Sequence, residues 1–161
     1  MNLFLAPSIT AIATSGRDIE TVSCADLYIG SKPFMDRTYT FSNVGNYPPT
    51  CTFIRGSNDD KNTEPSSIQT TLQVPYNSTV YLDFWGGSIH LEKVSSWIGS
   101  WTQTSSQLPT QFSGYGPGKV MKRNFDSGTI NLMGNNGGNH GTYYAFVCPQ
   151  GKIESKVGRA N

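Results

Sequence analysis

Hydrophobic and polar positions alternate with a period of two along most of this chain. Tyr39 and Phe41 alternate with Thr38 and Thr40, and Cys51 and Phe53 alternate with Thr50 and Thr52. Such alternation places every second side chain on one face of a sheet and marks half-buried strands. Further strand-like runs cover residues 68–74, 78–85, 88–94, 97–104, 119–125, 129–133 and 142–148. Turn-forming clusters separate them: NVGNYPP at 43–49, SNDDKNTEPSS at 57–67, a Gln-, Ser-, Gly- and Pro-rich stretch at 103–117, and GNNGGNHG at 134–141. The pattern predicts an all-β fold, a single-domain β-sandwich or jelly roll of about eight or nine short antiparallel strands. Residues 31–150 make up the sandwich, 1–30 an N-terminal arm or short helix, and 151–161 a basic tail. Within the arm, Ser15 and Asp18 resemble a capping pair, and Ile19, Val22 and Ala25 fall at helical spacing. A helix is therefore expected over 15–29, although Thr21, Val22 and Tyr28 also suit a strand.

Composition agrees with strands rather than helices. Ser, Thr, Asn and Gly make up 63 of the 161 residues, and these types favour turns, caps and strands. The apolar content, 36% with 12% aromatic, is enough to fill a core. A formal net charge of +1 argues against sequence-independent nucleic-acid binding, which needs a broad basic footprint. No run of about 18 apolar residues is present to span a membrane as a helix. Residues 1–15 (MNLFLAPSITAIATS) contain a weak A-x-A pattern at Ala11–Ala13, but no Lys or Arg precedes it and Pro7 interrupts the apolar stretch. The three cysteines, Cys24, Cys51 and Cys148, leave at least one thiol unpaired within a monomer. The sequence leaves open whether the other two form a disulfide or sit as small buried hydrophobes.

The most informative constellation surrounds Gly86-Gly87, a two-residue hairpin signal between two alternating runs. In that register Asp83 faces His90 and Tyr81 faces Glu92. One face then carries Val80, Leu82, Phe84, Ile89 and Leu91 as core, and the other Tyr81, Asp83, Trp85, His90 and Glu92. Flat rings beside carboxylates and an imidazole are the mixture that sugar recognition uses: a ring stacks on the C–H face of a pyranose, and polar groups bind its hydroxyls. Cross-strand pairing on a solvated sheet face is the alternative.

Other candidates lie in loops, where function concentrates. Tyr115 sits in GYGPG, and Asn135, Asn136, Asn139 and His140 sit in GNNGGNHG, whose glycines let backbone N–H groups approach a ligand. Trp97 and Trp101 are expected in the core or on a stacking platform. Asn58, Asp60, Asn62 and Glu64 alternate as the first half of a calcium loop does, but Thr63 and Gln69 occupy the positions that need Gly and Glu. Calcium is therefore a minor alternative, and no cofactor or metal site is expected. His90 and His140 are too far apart in sequence for a local zinc motif. No phosphate-binding loop or nucleophile elbow occurs. The run GTYYAFVCPQG is similar to the copper-ligand strand of blue copper proteins, yet GKIESKV replaces the His and Met expected after the Cys.

Three functions follow as expectations. The first is a non-enzymatic recognition domain binding glycans or glycoconjugates at a cell surface, acting extracellularly and as a homo-oligomer that gains avidity. The second is a membrane-surface toxin: VPYNSTVYLDFW, with GYG farther on, resembles the head-group-binding region of actinoporin-type pore formers, which implies a detachable N-terminal segment. The third is a structural or receptor-binding part of a viral or phage particle, with Lys152, Lys156 and Arg159 facing a neighbour.

Overall fold

The computed structural model describes residues 8–104, 110–112 and 117–150. Among the described residues, eleven strands alternate with short helical turns, and every strand pair is antiparallel. A three-stranded sheet has the order β1 (Thr10–Ala13), β5 (Ile68–Val74), β10 (Gly128–Met133). A six-stranded sheet has the order β2 (Glu20–Ser23), β4 (Thr52–Arg55), β11 (Tyr144–Pro149), β6 (Ser78–Phe84), β9 (Lys119–Phe125), β7 (Thr102–Gln103). A two-stranded ribbon joins β3 (Phe41–Asn43) to β8 (Gln111–Phe112). The expected β-sandwich is thus the observed fold.

Period-two alternation builds the layers. Val80, Leu82 and Phe84 of β6, Ala145 and Val147 of β11 and Ile54 of β4 point to one side of the large sheet. There they meet Leu72, Val74, Ile130 and Leu132 of the small sheet. Trp101 and the half-buried Trp97 join this core, their rings 6.1 Å apart. On the other side of the large sheet, Phe53, Phe146, Tyr144 and Trp85 meet Leu27, Phe34 and Phe41, with Tyr39 and Tyr47 packed alongside. The Tyr47 ring stacks on Phe146 at 3.7 Å, and Phe34 lies edge-on to Trp85 at 6.4 Å. Burial of each such ring contributes about 1.5–3 kcal/mol, so this aromatic layer is a second core.

Several elements differ from expectation. Residues 15–29 form β2 and a single 3-10 turn, Cys24–Asp26, instead of a helix, and Thr21 and Val22 pair with Ile54 and Phe53. The first thirty residues therefore supply two strands to the sheets. Gly86-Gly87 does not turn a hairpin. Gly87 has φ 66°, and its carbonyl accepts the first bond of a short helix, α1 (Ser88–Lys93). Leu91, Val94, Trp97 and Ile98 recur at helical spacing through α1 and the turns that follow it and pack on the first core, whereas Ile89 is exposed. A short 3-10 turn, Ile98–Ser100, likewise interrupts the extended run expected over 97–104. Cys51 and Cys148 form a disulfide, and Cys24 is a free thiol.

Candidate functional site

The sheet register places the aromatic–carboxylate face and then hides it. Tyr81, Asp83 and Trp85 do share one face, but Tyr81 and Asp83 stand opposite Phe146 and Tyr144 of β11 rather than Glu92 and His90. The layer contributed by residues 27–47 covers that face. Asp83 is 0% exposed, and its Oδ2 accepts from the Thr110 backbone N–H at 3.1 Å and the Thr110 hydroxyl at 2.7 Å. The Thr110 hydroxyl also bonds the Tyr144 hydroxyl. Asp83 Oδ1 and the Tyr47 hydroxyl are buried without a hydrogen-bond partner among the described residues. Loss of solvation raises the Asp83 carboxyl to about 7 despite these donors.

Trp85 and His90 are anchors as well. Trp85 Nε1 donates to the Thr142 carbonyl at 2.5 Å. The buried His90 ring lies edge-on to Trp85 at 4.9 Å; its Nδ1 accepts from Gly86 N–H at 3.1 Å and its Nε2 lies 2.6 Å from the His140 carbonyl. Those partners fit a neutral imidazole with the proton on Nε2, and burial lowers the His90 pKa. His90 so ties α1 to the Gly-rich loop. Glu92 is exposed on α1. Trp85, which ends the segment VPYNSTVYLDFW, is turned inward. Tyr115 and the basic tail lie outside the described residues.

The GNNGGNHG loop is a packed structure. Buried Asn135 donates to the Gly141 carbonyl at 3.1 Å, and Asn136, in the left-handed region at φ 42°, donates its backbone N–H to Thr63 at 2.8 Å. Asn139 and His140 are exposed on the one-turn helix Gly138–His140. Gly137 faces the Gly141 carbonyl so closely that a Cβ would overlap it. Gly137→Ala is therefore expected to destabilise the chain by about 2 kcal/mol or more, measured as a fall in the urea midpoint at unchanged slope. An unchanged midpoint would contradict this account of the loop. Two of the alternating oxygen groups at 58–64 are also committed: Asp60 pairs with Arg17 at 2.8 Å, and Asn58 Oδ1 accepts from Thr142 N–H at 2.9 Å. Among the described residues, no three His, Cys, Asp or Glu side chains are grouped to hold a metal ion.

Aromatic and charged groups do meet in an open cleft at the β2 edge of the large sheet. It measures about 430 Å³ and is lined by Glu20, Asp26, Tyr28, Lys32 and Arg55, with Ser31 and Met35 between them. The geometry follows from pairing. Glu20 stands opposite Arg55 in the β2–β4 register and forms an ion pair with it. Arg55 Nε also donates to the Lys32 carbonyl at 2.7 Å, which fixes the guanidinium. The 3-10 turn begins at Ser23, whose hydroxyl accepts from Ala25 N–H, and brings Asp26 to the rim. The chain then turns at Gly30, φ 106°, and leaves Tyr28 66% exposed. A larger cleft of about 690 Å³, walled by Pro49, Pro75, Pro149 and Tyr76, has hydroxyls but no charged side chain. Sequence reasoning passed over Tyr28, Glu20, Asp26 and Arg55, since only the β2–β4 pairing brings them together.

The class defined by these layers is an antiparallel β-sandwich covered on both faces of its larger sheet. The structure of a beta-glucuronidase from glycoside hydrolase family 2 is similar to it, with a TM-score of 0.64 and 16% sequence identity over 87% of this chain. That likeness is one of fold, and the chain spans 14% of that protein's length. No protein-family model and no curated protein matches the sequence.

Proposed function

We propose that this chain is a non-catalytic carbohydrate-binding domain whose sugar occupies the cleft of Tyr28, Glu20, Asp26, Lys32 and Arg55. One observation carries the reading: an exposed aromatic ring stands beside carboxylates and a fixed guanidinium in an open cleft. The Tyr28 ring stacks on the apolar face of a pyranose, Asp26 and Glu20 accept from its hydroxyls, and Arg55 and Lys32 donate. The occurrence of the fold in a protein that acts on glucuronides adds support. A non-catalytic role is favoured because Asp83, whose carboxyl is pushed up to about 7, is sealed beneath the aromatic layer and cannot touch a substrate.

A glycan array followed by calorimetry tests this. Tyr28→Ala is expected to weaken binding about tenfold, the loss of one stacking contact, and Asp26→Asn to weaken it severalfold. Both side chains are exposed, so the variants should melt with the native chain. Failure of the folded native protein to bind any glycan, or equal binding by Tyr28→Ala, would overturn the proposal.

A further inference from the structure

The three cysteines stand side by side where β2, β4 and β11 adjoin: Cys24 opens the 3-10 turn that follows β2, Cys51 immediately precedes β4, and Cys148 lies in β11. The β2–β4 register pairs Ser23 with Thr52, so Cys24 falls opposite Cys51, and Cys24 N–H donates to the Cys51 carbonyl at 2.9 Å. The β4–β11 register pairs Thr52 with Val147, so Cys51 falls opposite Cys148; their Cα atoms are 4.2 Å apart and the disulfide joins them. Directly opposed residues of antiparallel strands project to the same face. All three cysteines thus lie on the face of Val22, Phe53 and Phe146, and Cys24 packs against that aromatic layer. The bond from Cys24 N–H to the Cys51 carbonyl marks the hydrogen-bonded kind of pairing, in which opposed Cα atoms stand about 5.5 Å apart, within the span a disulfide bridges. Cys51 can therefore be bridged from either side.

We propose that Cys24, Cys51 and Cys148 form an internal disulfide-exchange relay that moves one cross-link between two positions in the same sheet. The Cys24 thiolate attacks Sγ of Cys51, the Cys51–Cys148 bond breaks, and the Cys148 sulfur leaves with the electron pair and takes up the proton Cys24 released. One disulfide is lost and one gained, so the step needs no oxidant. Nucleophile and leaving group thus belong to the two chain segments that flank Cys51. Burial pushes the Cys24 thiol up to about 12, so little thiolate is present near neutral pH and exchange out of the Cys51–Cys148 form is slow. The exchange moves the link from the sheet centre to its edge and ties down the turn Cys24–Asp26 that leads to Tyr28. On the carbohydrate-binding reading above, the cross-link would stiffen one wall of the sugar cleft. The thiol chemistry itself does not depend on that reading.

Thiol mapping decides the matter without any sugar. The native chain is held in a glutathione redox buffer, alkylated under native conditions and digested without reduction. Label is expected on both Cys24 and Cys148, together with a Cys24–Cys51 linked peptide. In Cys24→Ser, labelling of Cys148 should fall at least tenfold. Cys148→Ala should form the Cys24–Cys51 disulfide as a folded monomer. Label confined to Cys24 in the native chain, or Cys148 labelling unchanged in Cys24→Ser, would overturn the relay whatever the behaviour of Cys148→Ala.

Discussion

Replacing both Cys51 and Cys148 with alanine is expected to cost the native chain about 4–5 kcal/mol and lower its melting temperature by roughly 10–20 °C. The size follows from separation. The two residues lie 97 positions apart, so the bond removes a large closed loop from the freedom of the unfolded chain. It also joins neighbouring strands at the centre of the six-stranded sheet, where both half-cystines are buried and the alanines leave a small void. Chemical denaturation of both forms under matched conditions measures the difference. A loss below about 1 kcal/mol would mean that the aromatic layer holds β4 against β11 without covalent help.

Asp83→Asn is expected to stabilise the protein above neutral pH and to have little effect below pH 4. In the folded chain the Asp83 carboxyl sits at about 7, against a reference of 3.8. A carboxyl with a raised folded-state value favours the native state when protonated. Its contribution therefore falls as pH rises from about 4 to about 7, and is flat at its least favourable level above that. A separation of about three pH units corresponds to about 4 kcal/mol. Asparagine keeps an oxygen for the two Thr110 donors and places a neutral amide where the unpartnered oxygen lies, so a gain of about 2–4 kcal/mol is expected at pH 8. The midpoint difference between variant and native chain, followed from pH 4 to pH 8, should grow with pH. A constant difference would show that Asp83 ionises freely and that solvent reaches it.

Which side chains share a face was legible in the sequence, and what covers that face was not. Alternation placed β5 over Ile68–Val74 and β9 over Lys119–Phe125, and grouped Tyr81, Asp83 and Trp85. Exposure depends on the opposite layer, however. That layer comes from Leu27, Phe34, Phe41 and Tyr47, which lie six or seven residues apart, too far for strand alternation to link them, in a stretch with little secondary structure. The short run Ile89–Leu91 fitted a period of two, but the longer series Leu91, Val94, Trp97, Ile98 fits 3.6 through α1 and the turns that follow it. The candidate cleft has no local signature either, because Glu20 and Arg55 meet only once β2 pairs with β4. The Gly-rich loop shows that glycine richness can serve tight passage of the chain past its own backbone as well as approach to a ligand.

The position of β11 bears on how the chain is made. Of the strands described it is the last to be synthesised, yet it lies between β4 and β6 and is the piece that joins β2–β4 to β6–β9–β7. Until residues 144–149 emerge, the sheet remains two separate fragments, with the rings of Phe53 and Tyr81 lacking Phe146 and two inner strand edges open. Unpaired edges of this kind invite contacts with other nascent chains. Synthesis thus carries a window of vulnerability that closes only at β11, and slowing translation before that strand should prolong exposure rather than aid folding.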